Sequence, residues 1–260
     1  MALSEPEVGP LPRRVVEGVF EGLADILLPR LCPLCARPLS GREGTGRRGA
    51  VLCGRCFAAM PLIEGPLCSL CGRPFSSPLG PDRPCSECAV DPPPYRRARS
   101  ALFYEGAALD ALHLFKYRGR VSLAAPLAAL MAGAAREAAG GGADVVAAVP
   151  LHGSRLRERG FNQSLLLARA VAASMGARVD SRGLVRVAAG RPQVGLVRSE
   201  RVRNVRGAFA LAAPGGFSGR RVLLVDDVFT TGSTVAECAR LLARAGAEVS
   251  VATLARAGVK

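Results

Sequence analysis

The stretch of this 260-residue chain best suited to chemistry is 222–234, Val-Leu-Leu-Val-Asp-Asp-Val-Phe-Thr-Thr-Gly-Ser-Thr. Its four leading apolar residues predict a buried strand over 222–225. Asp226 and Asp227 stand at the carboxyl end of that strand, and Thr230, Thr231, Gly232, Ser233 and Thr234 form a small, hydroxyl-rich loop that opens a helix. A phosphate monoester needs converging N–H and O–H donors and the positive end of a helix, and small residues let the backbone come close. Adjacent carboxylates accept hydrogen bonds from a diol such as the 2- and 3-hydroxyls of ribose. Loop and acids together describe a cradle for ribose 5-phosphate. The plainer alternative is a strand–turn–helix whose Thr and Ser merely cap the helix, and the loop alone would fit it. An apolar strand and two acids beside the loop favour the cradle. No Gly-Lys-Ser/Thr is present, so this is not a Walker loop.

Eight of the nine cysteines fall in four Cys-x-x-Cys pairs: Cys32/Cys35, Cys53/Cys56, Cys68/Cys71 and Cys85/Cys88. A two-residue gap lets both thiolates of one knuckle reach one metal, and two knuckles complete a tetrahedral site. The first two pairs are separated by 17 residues, within zinc-ribbon spacing, and the last two by 13, slightly short of it. We expect two structural zincs, each held by four thiolates of neighbouring pairs, although spacing leaves other pairings open. Redox chemistry and disulfides compete with this reading. Redox Cys-x-x-Cys needs a thioredoxin-like strand–helix context, and no helix is predicted after any knuckle. Four thiolates per zinc leave no open catalytic position. Cys238, alone in a predicted helix, reads as a small buried hydrophobe.

Composition sets the outer bounds. The net charge is +14, from 35 Lys+Arg against 21 Asp+Glu, and such a field attracts nucleic acid, nucleotides or phosphorylated sugars. A basic protein with no polyanion partner is the alternative. The longest apolar stretch, 123–135, contains Pro126 and is too short to span a bilayer. No leader pattern is visible at the N-terminus, so a cytoplasmic location without membrane insertion is expected.

At 222–234 the chain resembles the type I phosphoribosyltransferase signature, and three further segments make it similar to the ComF/GntX family. These are FKYRG at 115–119, PLH…R…RGFNQS at 150–164, and Q..L…R..NV.G.F at 193–209. The resemblance covers 23–256. It implies an α/β fold of the type I phosphoribosyltransferase kind, with a mostly parallel sheet, flanking helices and a small N-terminal double zinc ribbon. It further implies that Asp226 and Asp227 are catalytic and bind ribose hydroxyls of phosphoribosyl pyrophosphate, directly or through Mg²⁺. Residues 230–234 would take the 5-phosphate. Leu151, His152, Arg155 and Arg159 would form the pyrophosphate loop, and Arg201 would lie in a mobile flap over 190–206 with Arg191, Arg198, Arg203 and Arg206.

Each role has a plainer counterpart. The flap arginines could be a solvated charge run. His152 could be a structural hydrogen bonder, His113 packing or surface, and Lys116 and Arg118 phosphate contacts or simply exposed. Two functions follow from the resemblance. One is Mg²⁺-dependent phosphoribosyl transfer to a nitrogen acceptor. The other is a non-catalytic competence or DNA-uptake factor that binds single-stranded DNA and a helicase-like partner protein. Few aromatics, 5% of residues, argue against a base-stacking platform.

The elements that must position these groups follow from periodicity. We expect a helix over 15–28 ended by Pro29, a loop-rich cysteine module over 30–95, and a stiff Asp91-Pro92-Pro93-Pro94 linker. Boundaries are placed at 1–29, 30–95 and 96–260. The last segment alternates strands (101–104, 144–149, 184–187, 222–225, 248–254) with helices (108–117, 123–138, 162–175, 234–245). That order predicts a mostly parallel sheet covered on both faces, binding ligands beyond the carboxyl ends of its strands.

Overall fold

The computed structural model describes residues 30–39, 51–188, 205–212 and 214–258. The expected helix over 15–28 and most of the expected flap, including Arg191, Arg198, Arg201 and Arg203, lie outside the described residues.

The cysteine-rich part holds two one-turn helices, α1 (Gly54–Ala58) and α2 (Ser86–Val90). The sheet is built from β1 (Arg97–Phe103), β2 (Val145–Ala148), β3 (Arg178–Asp180), β6 (Arg221–Phe229) and β7 (Glu248–Arg256), in the order β1-β7-β6-β2-β3. Every pairing in it is parallel. Two short strands, β4 (Leu184–Arg186) and β5 (Phe209–Leu211), form a separate antiparallel pair. The helices are α3 (Gly106–Tyr117), α4 (Ala124–Ala139), α5 (Gly153–Arg159), α6 (Gln163–Met175) and α7 (Ser233–Arg244).

Parallel neighbours need long crossovers, and helices supply them. Alternation along β6 then divides the core. Leu223 and Val225 face the layer of α4 and α6, with Leu127, Met131, Leu167 and Val171. Val222 and Leu224 face the layer of α7, with Val235, Cys238 and Leu242. A strand buried on both faces reads as a continuous apolar run, which is why 222–225 was visible in the sequence. Among the described residues no helix is long and apolar enough to cross a membrane.

The cysteine module is seated on the edge of this sheet. Ala98 N–H donates to Leu70 O at 2.7 Å, Ile63 N–H to Ala101 O at 2.9 Å, and Phe103 N–H to Pro61 O at 2.8 Å. The exposed edge of β1 is thereby covered. Arg99, 3% exposed, reinforces the seam. Its Nη1 donates to Cys68 O at 3.2 Å and its Nη2 to Asp82 at 2.9 Å, while Nε pairs with Glu137. The expected linker therefore leads straight into packed structure. Tyr95 is buried, and Arg96 N–H donates to Val249 O at 2.8 Å.

The structure differs from expectation in several elements. β6 runs on past Val225 to Phe229, because β7 keeps pairing with it through Phe229 and Arg256. The strand near 184–187 joins β5 instead of the main sheet. β3, β5 and α5 were not anticipated; the two strands are three residues each, too short for a periodicity to register. The cysteine module does contain helical turns, since α1 and α2 start directly after Cys53 and Cys85.

Candidate functional site

β2 ends at Ala148, paired with Val225, while β6 continues alone with β7. Asp226 and Asp227 sit where β6 loses that neighbour. The helices following β2 and β6 cover opposite faces of the sheet, which makes these two strand ends the point of the topology where open α/β sheets usually bind ligands. Asn162 ties the end of β2 to α6. Its Nδ2 donates to Val149 O at 3.1 Å, and its Oδ1 accepts from Ser164 N–H at 3.0 Å and Leu165 N–H at 3.4 Å. This cap starts α6 beside the end of β2.

Both acids already have partners. Asp226 Oδ1 accepts from Ser164 Oγ at 2.8 Å and from Asp227 N–H at 2.9 Å. Asp227 Oδ2 lies 3.0 Å from Lys116 Nζ, and these two side chains are only 15% and 13% exposed. Burial, then the neighbouring Asp227 charge, pushes the Asp226 carboxyl up to about 7 against the opposing help of Ser164, the Asp227 N–H and Lys116. Burial disfavours the Lys116 charge, but the Asp227 carboxylate more than offsets it and holds the ammonium above its ordinary range.

The Asp226 shift has a stability consequence. A carboxyl with a raised folded pKa keeps a proton that the unfolded chain releases, so its contribution is full below pH 4 and is lost as pH rises through about 7. Asp226→Asn should therefore gain stability relative to the natural chain between pH 4 and pH 7, by up to about 4 kcal/mol. Urea unfolding of both proteins at several pH values measures this. A difference that stays flat, or shrinks as pH rises, contradicts the buried, proton-holding carboxyl.

The loop follows within three residues. Gly232 adopts φ +77° and caps α7, and Ala236 N–H donates to its carbonyl at 2.8 Å. A Cβ there would stand 2.5 Å from the Phe229 ring, so both conformation and space require glycine. Thr231 Oγ1 and Ser233 Oγ are 3.0 Å apart, and Ser233 N–H donates to Thr231 Oγ1 at 3.4 Å. Thr230, Thr231, Ser233 and Thr234 all remain partly exposed. The positive end of the α7 dipole sits at this loop.

Residues 151–159 follow the end of β2 and include α5. His152 caps α5: its Nδ1 accepts from Ser154 N–H at 3.3 Å and lies 2.8 Å from Ser154 Oγ. That is the structural role weighed for it above. Leu151 is the half-buried residue leading into this cap. The Arg159 guanidinium lies 5.0 Å over the Tyr117 ring, next in sequence to Lys116. Arg155 lies near Arg186 of β4. Burial, then the like charge of Arg155, lowers the Arg186 pKa, while Asp226 opposes the shift.

Lys116 and Arg186 are the residues that sequence reasoning placed poorly or missed. A signal for Lys116 existed. Only Lys116 and Lys260 are lysines among 35 basic residues, and a compact ammonium suits a buried niche beside one carboxylate where a guanidinium fork does not. Nothing in the sequence marks Arg186. His113 is exposed and stacks edge-on against Tyr117 with centroids 5.7 Å apart, the packing or surface place expected for it.

The eight paired cysteines gather into two groups, Cys32/Cys35/Cys53/Cys56 and Cys68/Cys71/Cys85/Cys88, with ligand atoms within 4.8 Å of one another in each. Cys35 and Cys53 Sγ are 3.5 Å apart, and Cys71 and Cys85 Sγ 3.9 Å. Thiolates sharing one tetrahedral zinc lie about 3.8 Å apart, given Zn–S bonds of about 2.3 Å. Cys68 Sγ accepts N–H bonds from Cys71 at 3.4 Å and Cys85 at 3.3 Å, and Cys53 Sγ accepts one from Cys56 at 3.4 Å. Burial raises the Cys68 thiol, but the N–H groups of Cys71, Cys85 and Leu70 outweigh it and hold the group at about 6. The donor set thus fits structural zinc, and neighbouring pairs are matched as expected. Helical turns after Cys53 and Cys85 do not argue for redox chemistry, because each serves a cluster of four thiols.

Comparison with known proteins agrees with both halves. The double zinc ribbon domain family matches residues 23–89, and the phosphoribosyl transferase domain family matches residues 162–260. The "DNA utilization protein YhgH" of Salmonella typhimurium is 38% identical over 226 residues, covering 85% of this chain and 94% of its own. "Competence protein F" of Haemophilus influenzae is 29% identical, covering 79% of this chain and 96% of its own. "Competence protein ComFC" of Bacillus subtilis is 28% identical, covering 78% and 82%. With four-cysteine ribbon sites joined to a phosphoribosyltransferase-like sheet, and similarity along nearly the full length of these relatives, the chain belongs to the ComF family of competence and DNA utilization proteins.

Proposed function

We propose that this chain binds phosphoribosyl pyrophosphate, or a nucleotide bearing ribose 5-phosphate, beyond the end of β6, and transfers the phosphoribosyl group to a nitrogen acceptor. The observation that carries the reading is the union of two half-buried acids and a partly exposed hydroxyl loop on one strand–turn–helix at the carboxyl edge of the sheet. Residues 230–234 grip the 5-phosphate at the α7 N-terminus. Asp226 and Asp227 accept from the ribose hydroxyls or hold Mg²⁺, which supplies charge neutralisation for the pyrophosphate. Leu151, His152, Arg155 and Arg159 border the pyrophosphate, with the two arginines as its cationic partners. Arg201, outside the described residues, is assigned with them on the resemblance alone, to exclude water from the reacting centre.

Lys116 gives this site a property that the acids alone would lack. It balances the Asp227 charge in the free protein, so a cation or diol that engages Asp227 must share it with the ammonium. In the transfer itself the bond from the anomeric carbon to pyrophosphate breaks, and pyrophosphate keeps the electron pair. The acceptor nitrogen forms the new bond and releases its proton to solvent. The protein contributes position and charge.

Calorimetric titration with phosphoribosyl pyrophosphate tests the reading. Saturable binding that requires Mg²⁺ is expected; no binding at millimolar ligand contradicts it. A second reading, handling of single-stranded DNA, is favoured by the net charge of +14 and by a relative named as a DNA utilization protein.

A further inference from the structure

Arg256 closes β7, opposite Phe229 of β6 and Phe103 of β1, and is 5% exposed. A cation so deep in the protein needs compensation. Its Nη1 donates to Cys71 O at 2.7 Å, and its Nη2 lies 3.8 Å from Cys71 Sγ. Its guanidinium carbon lies over the Phe229 ring, 4.4 Å from the centroid. Its buried Nε has no hydrogen-bond partner among the described residues. The guanidinium is thus committed to two neighbours, a residue of the second four-cysteine group and an aromatic ring.

That ring is the floor of the 230–234 loop, because the position a Gly232 Cβ would take is 2.5 Å from it. Contacts therefore run from the second cysteine group through Arg256 and Phe229 to the loop backbone. A metal shared by Cys68, Cys71, Cys85 and Cys88 would fix the knuckle and, with it, the Cys71 carbonyl that anchors the guanidinium. Releasing the metal frees that carbonyl and loosens the stack on Phe229.

We infer that Arg256 is a positioning residue that transmits the metal-held geometry of the second cysteine group to the 230–234 loop, so that the loop's grip on a phosphate depends on that metal. The inference rests on the loop being the phosphate-binding element. Lysine at 256 keeps a cation but loses both the fork and the flat stacking face.

The test uses the full chain, with metal analysis, amide hydrogen exchange of residues 230–234 and titration with ribose 5-phosphate. In Arg256→Lys both zincs should stay bound. The loop amides should exchange about tenfold faster and ribose 5-phosphate should bind about tenfold more weakly, the effect of one lost stack and one lost charged hydrogen bond. Stripping zinc from the natural chain should speed loop exchange similarly, and should add little in Arg256→Lys. Unchanged loop exchange in Arg256→Lys, or zinc loss without any loop response, overturns the inference. If stripping unfolds the chain, seen as fast exchange in β2 and α6 as well, the Arg256→Lys comparison alone decides. If ribose 5-phosphate fails to bind the natural chain while loop exchange still follows Arg256 and zinc, the mechanical link stands and the phosphate reading falls.

Discussion

If the proposed site is right, Asp226→Asn combined with Asp227→Asn should weaken Mg²⁺-dependent binding of phosphoribosyl pyrophosphate by roughly a hundredfold or more, because the carboxylates proposed to hold the ribose hydroxyls or Mg²⁺ lose their charge together. The pair also balances Lys116, which is 13% exposed and would be left as a buried, unpaired cation. Breaking such a pair from one side costs about 3–5 kcal/mol. The double variant therefore needs a companion in which Lys116→Met is added, which should recover stability but not binding. Calorimetry on the three proteins separates the effects. Retained Mg²⁺-dependent affinity in the folded triple variant would remove the acids from the site. Salt-sensitive binding to single-stranded DNA that survives in all three would belong to a separate surface.

The second large effect is expected at the cysteine groups. Cys68 is fully buried and accepts two backbone N–H bonds, and its carbonyl receives Arg99. In Cys68→Ser we expect the loss of one zinc per chain and a fall in unfolding free energy of more than about 3 kcal/mol, since structural zinc sites contribute folding energy directly. The damage should reach beyond the ribbon, because this group sits against the edge strand β1, and a knuckle released from its metal would shift the Cys68 carbonyl that Arg99, 3% exposed, donates to. Metal analysis and denaturant unfolding measure both. Full zinc content, or unchanged stability with one zinc missing, would show that the group is not a structural metal site.

What the sequence revealed follows from how local each feature is. Asp226, Asp227 and the 230–234 loop are contiguous, so one apolar run, two acids and a hydroxyl turn were readable together. The cysteine groups were readable because each knuckle is a local repeat, while spacing left the matching of knuckles open and the structure gathers neighbouring pairs. Lys116 was invisible as a partner of Asp227 because more than a hundred residues separate them, and only the order β1-β7-β6-β2-β3 brings α3 to the end of β6. Nothing local in the sequence marks Arg99 or Arg256, yet both are buried at the seam between cysteine module and sheet. Short paired elements such as β3 and β5 depend on neighbours for their existence, so no period within the strand announces them.

The most direct measurement is a map of backbone amide shifts as the isotope-labelled full chain is titrated with ribose 5-phosphate in the presence of Mg²⁺. Saturable shifts should concentrate at Thr231, Gly232, Ser233 and Thr234, with smaller ones at Asp226 and Asp227. A ligand that binds while leaving these amides unmoved, or that does not bind at all, would contradict the cradle at the end of β6.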